Sequence, residues 1–450
     1  MHINLFLRPF GNHQAAWRYP GASVAEQLDP ATLIGQARTA ERGLFDSVFL
    51  ADAPGLGDNP WNYLLGPLEP LTLLGAIASR TERIGLIGTV STTYSEPYNL
   101  ARQMASLDHI SRGRAGWNIV TTASSHPARN FGATDRLPHA QRYARAAEYV
   151  DVVLALWHSW QPDAIVGDKA TGVLADPERV SPIDHRGEFF TVAGPLDIAR
   201  PPQGHPVLVQ AGSSTDGRSF AARYAEAIFT AQETIASGRQ FATDVRAQAR
   251  AAGRDGDAVR ILPGLSPVLA DTAAQALDIA RDLRSLNIAD NPLRVLSELV
   301  GFDLLDYAVN DPFPVERLVP VEEFQGHASR YGQIVELVRS GTITTVGDLV
   351  GWHEGGRGHR YFVGTAAQLA DDLIAWVEAG AADGFNLMPA LIPDSLDRFV
   401  DEVVPILQER GHFRTQYSAT TLRGHFTEPV FRRSAARAAV PGLSAAVSGR

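Results

Sequence analysis

Short runs of β-branched and aromatic residues alternate along the chain with longer segments whose apolar positions recur at helical spacing. This rhythm predicts a parallel sheet joined by crossover helices. His2–Leu7 (HINLFL) is the first strand, followed by a helix over Ala31–Arg42. Ser47–Ala51 with the helix Leu71–Arg83 makes the second unit, Ile84–Val90 with Tyr98–Ile110 the third, and Ala115–Val120 with His139–Trp160 the fourth. Pro206–Gln210, Ala227–Ala231 and Ile261–Leu269 are strands five to seven, each followed by a helix, the first of these over Asp216–Tyr224. Gly384–Met388, between helices Ala366–Ala379 and Asp394–Glu409, is the eighth strand.

Two stretches break the alternation. Residues 161–205 are turn-rich with short β-like pieces, and residues 287–362 carry helical patterns interrupted by Pro and Gly. Segments of that length inside a folded domain read as functional insertions. The strand count, in a chain of 450 residues, predicts an α/β fold: a (β/α)8 TIM barrel with two insertion segments, in a chain longer than the ~250 residues of a minimal barrel. A single domain is expected over residues 1–433, with a disordered tail over 434–450. An open doubly wound sheet is the alternative, but the first strand runs into RPFGNHQ, without the G-x-G-x-x-G spacing of a Rossmann site.

Composition then narrows the chemistry. There is no cysteine, which removes thiolate nucleophiles, iron–sulfur clusters, cysteine-ligated zinc and disulfides together. Lys169 is the single lysine, so Schiff-base chemistry would rest on one residue in a polar stretch. A net charge of −10 without a dense Lys/Arg run leaves no footprint for nucleic acid, and a small-molecule partner fits better. No apolar stretch reaches the ~20 residues of a membrane helix and the N-terminus lacks a basic leader, so no membrane partner and a cytoplasmic location are expected. The thirteen histidines form no H-x-H or H-E-x-x-H pair, and no metal site is expected.

Several positions could carry chemistry. In PVLVQAGSSTDGRSF a strand meets a turn and a helix start, so backbone N–H groups and the hydroxyls of Ser213 and Ser214 would converge where a helix dipole favours an anion. The same residues also fit a plain helix cap. His139, Arg142 and Tyr143 share one helix, with His139 and Tyr143 one turn apart on one face, where they suit either a phosphate or a partly buried packing surface. Asp52, Thr89, Ser91, Thr92, Asn118, Thr121 and Thr122 end strands two to four, at the mouth where barrels bind ligands. His13 stands just past strand one and could act as a general acid or base, while His353 and His359 could approach the same mouth from the second insertion.

Taken in order, FLRPFGNHQAAWRYP, ERGLFDSVFLAD, LEPLTLLGAIASRTERIGLIGTVSTTYSEPYNLAR, SLDHISRGRAGWNIVTT, ARNFG, HAQRY, DHRGEFFTVAGPL, QGHPVLVQAGSS, VGTAAQLADDL, DGFNL and the closing TTLRGHF resemble the bacterial luciferase-like flavin monooxygenase superfamily. Within it the similarity is to the nitrilotriacetate, EDTA and dibenzothiophene-sulfone monooxygenase branch. The resemblance implies that FMN lies across the barrel mouth with contacts at Asp52, Thr89, His139, Tyr143, Ser213 and Ser214. It places Asn118 and Thr121 in the same pocket and gives His13 a substrate or proton-transfer role. It also implies FMNH2 supplied by a separate NAD(P)H-dependent flavin reductase, O2 as co-substrate, one oxygen atom entering a small organic molecule, and a homo-oligomer. The insertions are the expected lid. The loop Ala53–Gly66, with Trp61 and Tyr63, departs from the relatives on the substrate side, as does the second insertion. A non-catalytic flavin-binding barrel and a deazaflavin-dependent oxidoreductase are the alternatives.

Overall fold

Almost every residue of the apolar runs is buried on both faces, as strands of a parallel sheet enclosed by helices require. A computed structural model describes residues 1–55, 68–122, 126–132, 137–212, 214–286, 291–324, 326, 328–356 and 358–429. In chain order its strands are β1 (His2–Phe6), β2 (Ser47–Leu50), β3 (Gly85–Ser91), β4 (Ala115–Val120), β5 (Ile165–Asp168), β6 (Val173–Ala175), β7 (His185–Arg186), β8 (Thr191–Val192), β9 (Val207–Ala211), β10 (Ala227–Thr230), β11 (Arg260–Leu269), β12 (Arg360–Gly364) and β13 (Gly384–Leu387). Strands β1-β2-β3-β4-β9-β10-β11-β13 pair in parallel in that order, and β13 returns to β1, closing an eight-stranded barrel. These are the eight strands expected from the sequence.

The barrel helices are α1 (Pro30–Arg42), α2 (Pro70–Ala78), α3 (Pro97–Ile110), α4 (His139–His158), α5 (Thr215–Tyr224), α6 (Ile235–Ala251) and α7 (Ala273–Ser285). The second insertion adds α8 (Asn291–Val300), α9 (Ala328–Arg339) and α10 (Val346–Gly356); α11 (Ala366–Glu378), α12 (Asp394–Arg398), α13 (Val404–Glu409) and α14 (Leu422–Thr427) complete the set. Local chemistry marks the helix starts: Pro30 follows an Asp29 cap, and capping boxes open α6 (Thr234, Ser237), α7 (Thr272, Gln275) and α11 (Thr365, Gln368). One strand lay hidden in the second insertion. β12 pairs with the upper half of β11 outside the ring, from Leu265↔Arg360 to Leu269↔Gly364, because β11 at ten residues outlasts its barrel neighbours.

Phe6, Phe49, Ile87, Val209, Phe229, Leu262 and Met388 fill the barrel interior. Its N-terminal end is stoppered by α14, whose Leu422 and Phe426 join this cluster. Glycine at 85 and 116 makes room: a Cβ on Gly116 would stand 2.9 Å from a Leu422 methyl, and one on Gly85 would be closer still. Beside the stopper, Asp46 is fully buried, accepts from the Ile3 N–H (2.7 Å), and meets His2 Nδ1 (2.9 Å) and Arg414 Nη2 (2.6 Å). Burial pushes its carboxyl up, but the Arg414 and His2 charges outweigh that and hold it far below the ordinary carboxylate range. A charge network at this end of a barrel serves stability, which leaves the opposite rim for chemistry.

The insertions behave differently from each other. The first forms the hairpins β5–β6 and β7–β8 and is fastened to the outer flank of α3 and α4. Glu148 accepts from the N–H groups of Phe189 and Phe190 and meets His185 at 2.9 Å, and Trp160 donates to Leu196 O (2.7 Å). The expectation that both insertions cover the mouth is therefore corrected: α4's own side chains hold the first against the outside wall. The second is a bundle of α8, α9 and α10 with its own core, including Leu296, Ile334 and Leu349, and it reaches the mouth. Gln333 donates to Ala231 O just past β10 (3.2 Å), and Trp352 donates to Glu233 (2.5 Å).

Candidate active site at the barrel mouth

Three elements bring side chains together at the first turn of α5. Ser214 is its N-cap, and the Oγ accepts the Gly217 N–H at 3.1 Å. Tyr143 arrives from α4 and Gln210 from the end of β9. A Cβ placed on Gly217 would lie 3.0 Å from Ser214 Oγ, 3.2 Å from Tyr143 Oη and 3.7 Å from Gln210 Nε2. Glycine thus leaves open a cradle walled by hydroxyl and amide donors at a helix N-terminus, which is the donor set an anionic phosphate takes. Burial pushes the Tyr143 phenol above its ordinary value, against its hydrogen bonds with Ser214 and Thr121, so it is a neutral O–H donor at neutral pH.

The polar strand ends are linked to one another across β3 and β4. Asn118 Nδ2 donates to Thr89 Oγ1 (2.8 Å), Thr122 Oγ1 to Ser91 Oγ (2.7 Å) and Thr92 Oγ1 to Val120 O (3.2 Å). Asn118 Oδ1 is buried and without a protein partner, an acceptor suited to a ligand N–H. Thr122 has a φ of +37°, rare for a β-branched residue, and Arg142, buried beside it, reaches its carbonyl at 3.4 Å. Asp52 follows β2 at the rim, where desolvation and the Glu69 carboxylate raise its carboxyl above the ordinary value.

His13 is buried in the loop after β1. Its N–H donates to Ala390 O (3.2 Å), and Nδ1 accepts from the Ala15 N–H (3.2 Å), which places the ring proton on Nε2. His359 reaches the mouth as the sequence suggested: it stacks on Phe229 at 4.8 Å and 9°, beside inward-facing Gly264, whose missing side chain leaves room for the imidazole. Phe229 in turn meets Phe6 at 6.0 Å and Phe49 at 5.6 Å, forming an aromatic floor. His353 is buried on α10. The Ser213 position, the His139 side chain, and Trp61 and Tyr63 lie outside the described residues. Gln210 was missed in the sequence because it sits inside an apolar strand, although its place just before the Gly-Ser-Ser turn was a usable signal. From the cradle a groove of about 810 Å³ opens between α5, α6 and α9, lined by Ser214, Asp216, Gln232, Glu233 and Gln333 among others.

Residues 11–383 match the family model described as luciferase-like monooxygenase. The chain belongs to the luciferase-like monooxygenase family. It is 44% identical over 425 residues to N-acetyl-S-(2-succino)cysteine monooxygenase of Bacillus subtilis (strain 168), with 94% of this chain and 96% of the relative covered. It is 42% identical over 438 residues to nitrilotriacetate monooxygenase component A of Aminobacter aminovorans, again covering 94% and 96%. A riboflavin lyase solved with modified FMN and riboflavin superposes with a TM-score of 0.84 at 32% identity, over 95% of each chain. This luciferase-like monooxygenase is accordingly an oxidoreductase that depends on a flavin. None of the helices among its described residues is long and apolar enough to cross a membrane.

Proposed function

We propose that the protein is the oxygenating component of a two-component system that uses FMNH2 from a separate NAD(P)H-dependent flavin reductase to oxidise a small organic molecule. The observation that carries this reading is the convergence of Ser214, Tyr143 and Gln210 on Gly217, within reach of the barrel mouth. A phosphate fits that donor set, and an aromatic floor with polar strand ends suits a flat heteroaromatic ring. The "component A" in the nitrilotriacetate relative's name supports a partner that supplies reduced flavin.

In this reading Ser213, Ser214 and Tyr143 bind the phosphate, and His139 contributes from the start of α4. Asp52, Thr89 and Asn118 face the ring system, where Asn118 offers its oxygen and Thr89 fixes the amide's orientation through the 2.8 Å bond. Bound reduced FMN supplies the activation of O2, with one oxygen atom going to the substrate and the other to water. The protein's task is positioning and the exclusion of bulk water, to which the α8–α10 bundle contributes from above. His13, with its proton on Nε2, is the residue placed to give or take a proton on the substrate side. The test is oxygen uptake with FMNH2 regenerated by an added flavin reductase, across a panel of amines, thioethers, sulfones and alkanes. Substrate-dependent product carrying one atom of 18O2 supports the assignment. Flavin binding without turnover would indicate a carrier, and activity only with a reduced deazaflavin would replace the cofactor.

A further inference from the structure

The mouth also carries cationic groups that holding a flavin phosphate does not explain. Arg8 follows β1, and its guanidinium carbon lies 5.3 Å from the centre of the Phe6 ring. Arg330 projects from α9, with Nη2 2.6 Å from His359 Nε2 and Nη1 3.3 Å from Gln333 Oε1. Through the stack of His359 on Phe229 and the 6.0 Å contact of Phe229 with Phe6, both arginines border one array of rings.

The Arg330 contact fixes more than position. A guanidinium only donates, so His359 Nε2 must accept, and the imidazole is held neutral with its proton on Nδ1. Gln333 is itself tied to Ala231 O at 3.2 Å, so the arginine is pinned from two sides over the end of β10. A guanidinium also carries more N–H donors than these two bonds use. When a substrate displaces water there, a neutral molecule leaves the guanidinium charges desolvated and without a counter-charge, which is costly, whereas a carboxylate supplies bidentate acceptors.

We propose that the substrate is an organic anion whose carboxylate is bound by Arg330, with Arg8 at the opposite side of the ring array and the apolar part of the molecule lying over Phe6, Phe229 and His359. This deepens the functional reading and rests on it, since it takes the mouth to be the place where substrate meets flavin. Arg330 and His359 act here as specificity-determining groups.

The test uses two probes of one shape, phenylthioacetate and phenylthioacetamide, titrated calorimetrically into the full-length protein with saturating FMN at about physiological ionic strength. The acid should bind at least about tenfold more tightly than the amide, as expected for one charge-assisted pair. Arg330→Gln should abolish that preference while leaving amide binding unchanged, and Arg330→Lys should restore part of it. Retention of the wild-type unfolding midpoint in Arg330→Lys separates a recognition defect from misfolding. Equal binding of acid and amide, binding of neither, or an acid preference that survives in Arg330→Gln would overturn the proposal. FMN titration of the wild type is scored separately: absent FMN binding defeats the flavin reading, whereas intact FMN binding without acid preference defeats only this inference.

Discussion

Adding one methyl group at Gly217 tests the cradle, because its effects on folding and on binding have opposite signs. The residue lies in the first turn of α5 with no left-handed φ, so alanine suits the helix and should stabilise it by about 1 kcal/mol. The new Cβ would nevertheless stand 3.0 Å from Ser214 Oγ and 3.2 Å from Tyr143 Oη, and both oxygens must retreat by a few tenths of an ångström from a carbon that prefers about 3.5 Å. It would also occupy the space that a phosphate oxygen needs. Losing one charge-assisted hydrogen bond costs about 1.5–3 kcal/mol, which predicts FMN binding weakened by roughly tenfold to a hundredfold. Flavin fluorescence titration gives the dissociation constant, and thermal unfolding of the flavin-free protein gives the stability. An FMN affinity within about twofold of wild type, in a protein as stable or more so, would place the phosphate elsewhere.

Further outcomes follow from the same structure. Ser214→Asp, which sets a carboxylate against the phosphate, should weaken FMN binding at least as much as Gly217→Ala, and unchanged affinity in equilibrium dialysis would argue against the site. Leu422→Ala empties the stopper at the base of the barrel and should lower unfolding stability by about 2–5 kcal/mol in urea, without changing FMN affinity once folded. Asp46→Asn leaves Arg414 buried without its charge partner and should cost about 3–5 kcal/mol. The native Asp46 carboxyl is held below its unfolded value, so its stabilisation is complete above about pH 4 and is lost as pH falls further. Burial lowers the His2 value as well, so acidification below about 6.5 adds a second loss of the same sign. The unfolding midpoint should therefore fall between neutral pH and pH 3, with a flatter profile below pH 4 in Asp46→Asn; a parallel profile would show that the carboxylate is not responsible.

The barrel was legible because its signal is periodic and repeated: all eight ring strands were identified, with ends shifted by a residue or two. What escaped was set by long-range packing. β12 was absorbed into an insertion because RYFVG is short and follows Gly-rich chain, and only the overlong β11 gives it a partner. The first insertion was expected over the mouth, but the grip of Glu148 on Phe189 and Phe190 depends on α4 lying beside it in space. At the site, Ser214 and Tyr143 carried local signals, a cap after a strand and a helix face, and they do meet. Gln210, Gly217 and the Arg330–His359 pair carried none. Their roles come from approaches between segments distant in the chain, such as the 29 residues separating Arg330 from His359.

The central claim is that the mouth of the barrel takes FMN by its phosphate at the start of α5, and the most direct measurement is the relative affinity of FMN and riboflavin under one set of conditions. The two differ only in the phosphate, so the cradle predicts FMN binding at least about tenfold tighter, a gap that closes in Tyr143→Phe combined with Ser214→Ala. Equal affinity of riboflavin and FMN for the wild-type protein would contradict the account.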